Sequence, residues 1–268
     1  MKTRPPAVAG MFYEANPERL EADVRSYLVA DAPPRPAFGA MVPHAGYVYS
    51  GPVAGAVYAR IAVPSAAVIL CPNHTGRGAP ASLEPSDAWE TPLGAVPVHR
   101  RLAARILELA PSLEEDSAAH RREHSLEVQL PFLKIARPDI QFVPICLGLP
   151  DLSLCQEVGE ALANLLREEE EPPLLLASSD MSHYEPRETG RLKDEQALER
   201  VTAVDPEGLF ATVRSQDISM CGFLPVTALL FAARQAGVAS ARIVARRDSG
   251  DETGDVSSVV GYAGVILP

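Results

Sequence analysis

His44 and His74 are the residues best placed to do chemistry in this chain. His44 lies in Pro43-His44-Ala45-Gly46-Tyr47 and His74 in Pro72-Asn73-His74-Thr75-Gly76, each just after an apolar run, 40–42 and 67–70. A third run, Leu174-Leu175-Leu176, leads into Ser178-Ser179-Asp180-Met181-Ser182-His183. Strand ends are where open α/β sheets hold functional groups, so three such endings predict one shared crevice. Imidazole nitrogen suits zinc, copper and iron. Either histidine alone reads more readily as a loop residue bonded to backbone; their recurrence at equivalent positions shifts the balance toward a ligand pair. Asp180 and His183 would bring a carboxylate and an imidazole to the same crevice, one for metal and one for protons. Asp180 also reads as a cap for the segment that follows.

Cys221, in Ser219-Met220-Cys221-Gly222, stands before an apolar helix. A thiol at a helix N-terminus has a lowered pKa, which makes it a ligand or a nucleophile. The alternative is a small residue packed under Phe223 and Leu224. His124 and Glu127 are spaced i, i+3 on a helix that His124 would open, off the stripe of Leu126, Leu130 and Leu133. They read as a supporting pair or as an exposed helix start. His99 and His120 lie among charged residues and are expected at the surface. Ser178-Ser179 reads as loop chemistry.

The elements that must position these groups alternate. Strands are expected at 38–42, 66–70, 140–147, 174–177, 241–245 and 257–267. Helices are expected over 17–28, 51–61, 102–109, 124–133, 152–167, 191–203, 206–213 and 223–236. Asn16-Pro17-Glu18 is a helix start, with a cap, a proline at the first helical position and a carboxylate at the positive end. The segment 77–97 holds the single tryptophan, Trp89, and is expected to form a hairpin turning at 90–94. The pattern predicts one α/β domain over 1–268, with a mostly parallel or mixed central sheet and helices on both faces.

The chain has 268 residues, of which 47% are hydrophobic, ample for a folded core. Lys+Arg 24 against Asp+Glu 35 leaves a net charge of −11. Such a chain repels nucleic acid and anionic membranes, and Arg121-Arg122 is too short to be a basic patch. No apolar stretch approaches the roughly 18 residues of a membrane span, and no signal sequence is visible, so a cytoplasmic location is expected. Cys71, Cys146, Cys155 and Cys221 have no framework spacing and are expected as free thiols.

Several of these segments together resemble the Memo family, called AmmeMemoRadiSam system protein B in prokaryotes. They are 43–47, 72–74, Glu123-His124-Ser125-Leu126-Glu127-Val128-Gln129-Leu130-Pro131, 178–180, Met220-Cys221-Gly222 and Val260-Gly261-Tyr262. The likeness runs from Arg4 to the last strand. It implies a fold shared with the class III extradiol, non-heme iron dioxygenases, where two histidines and a carboxylate hold Fe(II). It also implies that His44, His74 and Cys221 ligate metal, that Asp180 and His183 complete the pocket, and that His124 and Glu127 support it. Thiolate in place of carboxylate softens the site toward copper or zinc and argues against ordinary ring cleavage. The family name implies a radical-SAM protein and its partner domain as associates.

Three functions follow. The first is a metal-dependent, dioxygenase-like oxidoreductase that uses iron or copper at His44, His74 and Cys221, with zinc as a further option. The second is a metal-free thiol enzyme in which Cys221 attacks, His183 is the base and Asp180 orients it. The third is a carrier or binding protein that holds metal, a small molecule or a peptide without turnover.

Overall fold

A computed structural model describes residues 2–30 and 32–268. The core is a sheet of four adjacent parallel strands in the order Gly39–Val42, Leu174–Ser178, Ala66–Pro72 and Gln141–Leu147. Antiparallel strands extend both edges. Val259–Leu267 pairs with Gly39–Val42 and carries His183–Glu185 and Arg242–Asp248, while Ala81–Leu83 pairs with Gln141–Leu147 and, in parallel, with Glu114–Glu115. The sheet is therefore mixed about a parallel centre.

Both faces are buried, which is why the central strands read as unbroken apolar runs. Along Ala66–Pro72, Val68 and Leu70 enter one core while Ala67, Ile69 and Cys71 enter the other. The first core is closed by helices Arg100–Leu109, Leu152–Glu168, Arg187–Thr202, Pro206–Ser215 and Phe223–Gln235. The second is closed by Pro17–Tyr27, Tyr47–Tyr58 and Leu130–Ala136. Asn16 caps the first helix through Arg19 N–H, as its sequence predicts. The hairpin also forms: Ala88 and Trp89 pair with Pro97 and Val96, and Thr3–Arg4 adds alongside.

Three expectations need correction. His124 does not open a helix; a 3-10 turn, Glu127–Gln129, precedes the short helix Leu130–Ala136, so His124 and Glu127 do not share a helix face. His120 is fully buried rather than exposed, with Ser82 on its Nε2 and Trp89 beside its ring. His99 is half-buried because it caps the helix Arg100–Leu109. Among the described residues no helix is long and apolar enough to cross a membrane.

Candidate metal centre

His44, His74 and Asp180 each stand two residues beyond the end of a parallel strand, at Val42, Pro72 and Ser178 respectively. Parallel pairing places those three ends at one edge of the sheet, so the side chains converge. Cys221 arrives from the helix Phe223–Gln235, for which Gly222 is the N-cap. A Cβ at residue 222 would lie 2.3 Å from the Ser178 carbonyl oxygen and 2.4 Å from Ser179 Cβ. Only glycine allows that approach. The Gly222 N–H donates to Ser179 Oγ at 3.1 Å, and the Asp180 N–H points at Cys221 Sγ at 3.4 Å. Gly222→Ala is expected to cost about 1–3 kcal/mol through overpacking and to move Cys221 off the site, checked by denaturant midpoint and metal content.

One ligand atom from each of His44, His74 and Cys221 lies within 4.8 Å of the others. Cys221 Sγ is 3.1 Å from His44 Nε2. Metal–nitrogen bonds near 2.0–2.1 Å and metal–sulfur bonds near 2.3 Å imply a ligand N···S separation of roughly 3.1–3.6 Å, so the pair fits a shared ion.

The histidine tautomers follow from their partners. Ser178 Oγ donates to the Ser125 carbonyl at 2.6 Å and accepts from Gln129 Nε2 at 2.9 Å. Gln129 is itself oriented: Nε2 donates to the Pro43 carbonyl, and Oε1 accepts from Tyr58 OH. With its proton spent, Ser178 can only accept from His44 Nδ1, 3.0 Å away. His44 therefore carries its proton on Nδ1 and turns the Nε2 lone pair toward Cys221. Glu123 does the same for His74, accepting from Nδ1 at 2.8 Å and from the backbone N–H at 2.7 Å. That leaves Nε2 of His74 for a ligand. A carboxylate behind a histidine is the usual support for a metal-bound imidazole.

Burial, with His124 and His74 nearby, holds His44 well below the ordinary histidine range. Burial and the adjacent His74 likewise lower His124 to about 4, although Glu123 pulls the other way. Burial opposes a charged His74, but the hydrogen bond and charge of Glu123 outweigh it and raise that pKa. Burial would raise Glu123, yet hydrogen bonds from His74 and Ser125 bring it to about 2. Burial raises Asp180 to about 6 against the hydrogen bond from His44 N–H. Cys221 overturns the expectation of a lowered pKa: burial, followed by the Asp180 charge, pushes the thiol well up. It precedes the cap instead of lying in the first turn, and desolvation wins over the dipole.

Asp180 lies beside the cluster, with Oδ2 4.0 Å from His44 Nε2. His124 stacks on His74, ring centroids 4.6 Å apart, and meets His44 edge-on at 5.5 Å. His183 is anchored at Ser219, with its N–H donating to Ser219 Oγ and Nδ1 donating to the Ser219 carbonyl at 2.9 Å. Its Nε2 has no hydrogen-bond partner among the described residues. Among the described residues Glu127 makes no hydrogen bond or ion pair with His124; it is buried and accepts from Arg4, the Ala7 and Val8 amides and Tyr13. From the sequence, Glu123 and Gln129 have no site role beyond their place in a family motif, and Ser178 reads as loop chemistry. Glu123 follows two arginines and looks like a solvated surface charge.

The model for "Memo-like protein" matches residues 4–266. A MEMO1 family protein of Methanopyrus kandleri is 39% identical, covering 98% of both chains. Relatives of the same description from Pyrobaculum arsenaticum and Ignicoccus hospitalis are 40% and 41% identical, each covering 100% of this chain and 99% of its own. Among solved structures, an uncharacterised protein of Escherichia coli K12 aligns with a TM-score of 0.54 over 79% of this chain and 89% of that one. At 18% identity that likeness carries the fold alone. With its whole length matched and its motifs gathered at one sheet edge, this chain belongs to the Memo family.

Proposed function

We propose that this protein binds a transition metal ion through His44 Nε2, His74 Nε2 and the Cys221 thiolate, and works as a redox or oxygenase-like protein. The carrying observation is the preset donor geometry: both histidines have Nδ1 committed to a protein acceptor, His44 Nε2 lies 3.1 Å from Cys221 Sγ, and a ring nitrogen of His74 lies within 4.8 Å of both. Iron or copper bound there would supply one-electron or oxygen chemistry, and zinc satisfies the same donors without redox change. Burial keeps His44 neutral, which a ligand must be. Asp180, raised toward neutrality, can hold or release a proton beside His44 Nε2. His183 offers Nε2 as a second proton acceptor, fixed in orientation by Ser219.

A thiol nucleophile is the second reading, favoured by the 3.1 Å contact between Cys221 Sγ and His44 Nε2. The base would then be His44 rather than the His183 expected from sequence. Burial works against this reading, since a raised thiol and a lowered imidazole stay neutral instead of forming an ion pair.

Elemental analysis of anaerobically purified protein separates the two. Near-stoichiometric iron or copper in the wild type, lost in Cys221→Ser, His44→Ala and His74→Ala with folding intact, is the expected result. No metal after reducing reconstitution, together with alkylation of Cys221 indifferent to chelators, would transfer the assignment to thiol chemistry. Glu123→Gln is expected to weaken metal affinity by about 10- to 100-fold, measured by chelator competition, because it removes the charge behind His74.

A further inference from the structure

We propose that Arg77, Arg121 and Arg122 form an anion-recognition subsite beside the histidine–cysteine pocket, taking the carboxylate or phosphate of a small organic substrate. The inference rests on that pocket being the reaction site. Arg121-Arg122 is a short charged pair in the sequence, but the fold brings Arg77 to it. The three arginines, with Thr75 and Ala118, line a cavity of about 270 Å³. No ion pair is formed by any of the three among the described residues, whereas Arg101, Arg105, Arg187 and Arg234 all hold carboxylates. In a chain of net charge −11, acids are in excess. Among the described residues, three arginines that hold no carboxylate line one cavity, and the guanidinium fork matches carboxylate and phosphate oxygens.

The backbone beneath them is fixed. Asp116 accepts from the Ala79 and Ala118 amides, each at 2.7 Å, and so ties the two arginine-bearing segments together. The charge of Arg121 nearby also helps to hold Asp116 ionised. Asn73 Oδ1 accepts from the Thr75 and Gly76 amides and holds the turn that leads to Arg77. The residues lining the cavity also adjoin those of the pocket in the chain. Thr75 follows His74 directly, and Arg122 directly precedes Glu123, the carboxylate that holds His74. The His74 side chain is 33% exposed while that of His44 is 2% exposed, so a substrate reaches the pocket past His74. The cavity has room for an anionic group with a small organic body.

The test compares wild type with Arg77→Gln/Arg121→Gln/Arg122→Gln by calorimetric titration with benzoate, phenyl phosphate, inorganic phosphate and uncharged benzyl alcohol. All three positions are solvent-exposed, and circular dichroism checks the fold. Either benzoate or phenyl phosphate is expected to bind the wild type and to bind the variant at least about tenfold more weakly, with benzyl alcohol silent. Which of the two binds identifies carboxylate or phosphate. Equal binding to both proteins overturns the subsite, as does inorganic phosphate binding as tightly as phenyl phosphate, which would mean an ion site without a substrate body. Metal content is read on the same samples. Anion binding lost with metal retained supports both proposals, and anion binding by a protein that takes up no metal leaves the subsite standing and removes the metal reading.

Discussion

Glu127→Ala is expected to lower the free energy of unfolding by about 3–5 kcal/mol, measured by denaturant titration, because it strands a buried arginine. Arg4 and Glu127 form a 2.7 Å ion pair with side-chain exposures of 4% and 0%. The same carboxylate accepts from the Ala7 amide at 2.7 Å, the Val8 amide at 3.0 Å and Tyr13 OH at 2.8 Å. Alanine leaves all four donors without their acceptor, and each buried orphan has a desolvation cost. Arg4 also donates to the His120 and Glu123 carbonyls and lies 3.9 Å over Trp89, so it cannot swing out to water without breaking those contacts. Arg4→Met combined with Glu127→Leu should cost less than the sum of the single changes, since no unpaired charge remains. A loss below about 1 kcal/mol for Glu127→Ala would show that water reaches the pair, and would sink the claim that it locks the N-terminal segment under the site.

The parts of this molecule that were legible in the sequence share a physical cause. Gly39–Val42, Ala66–Pro72 and Leu174–Ser178 are buried on both faces, so they are apolar throughout and their polar endings stand out. His44, His74 and Asp180 could be placed from that contrast alone. Cys221 was visible as a group before an apolar helix, but its proton affinity was not, because burial and Asp180 decide it and neither is local. The site roles of Glu123, Gln129 and Ser178 were hidden for the same reason. A carboxylate next to Arg121-Arg122 has the sequence surroundings of a surface charge, and only the fold turns it inward onto His74. His120 also looked exposed; Ser82 and Trp89, both distant in sequence, bury it. The short strand His183–Glu185 exists only because Val259–Leu267 lies alongside to pair with it.

Metal-free protein is expected to lose about 1.5–3 kcal/mol of stability per pH unit as the pH falls from 6 to 5, the slope of one to two protons taken up on unfolding. His120 and His124 have folded pKa values of about 4, and His44 lies well below its ordinary value, burial being the leading cause for each. In the unfolded chain all three take protons near pH 6.5, while the folded protein refuses them, so acid favours unfolding. Asp180 acts in the opposite sense. Its folded pKa of about 6 lets the native state bind a proton that the unfolded state declines until nearer pH 4, which offsets one histidine. His74, raised by Glu123, is protonated in both states below pH 6.5 and adds no slope in this window. His99, lowered by burial, and Glu123, lowered by His74 and Ser125, add to the acid-labile direction, and Asp194, raised by burial, joins Asp180 against it, so the acid-labile direction remains dominant. Denaturant midpoints at pH 7.5, 6.0 and 5.0 measure it, and equal or greater stability at pH 5.0 would refute the assignment of neutral buried histidines. His120→Asn should flatten the slope by about one proton, because that residue lies outside the metal pocket and carries its share of the linkage alone.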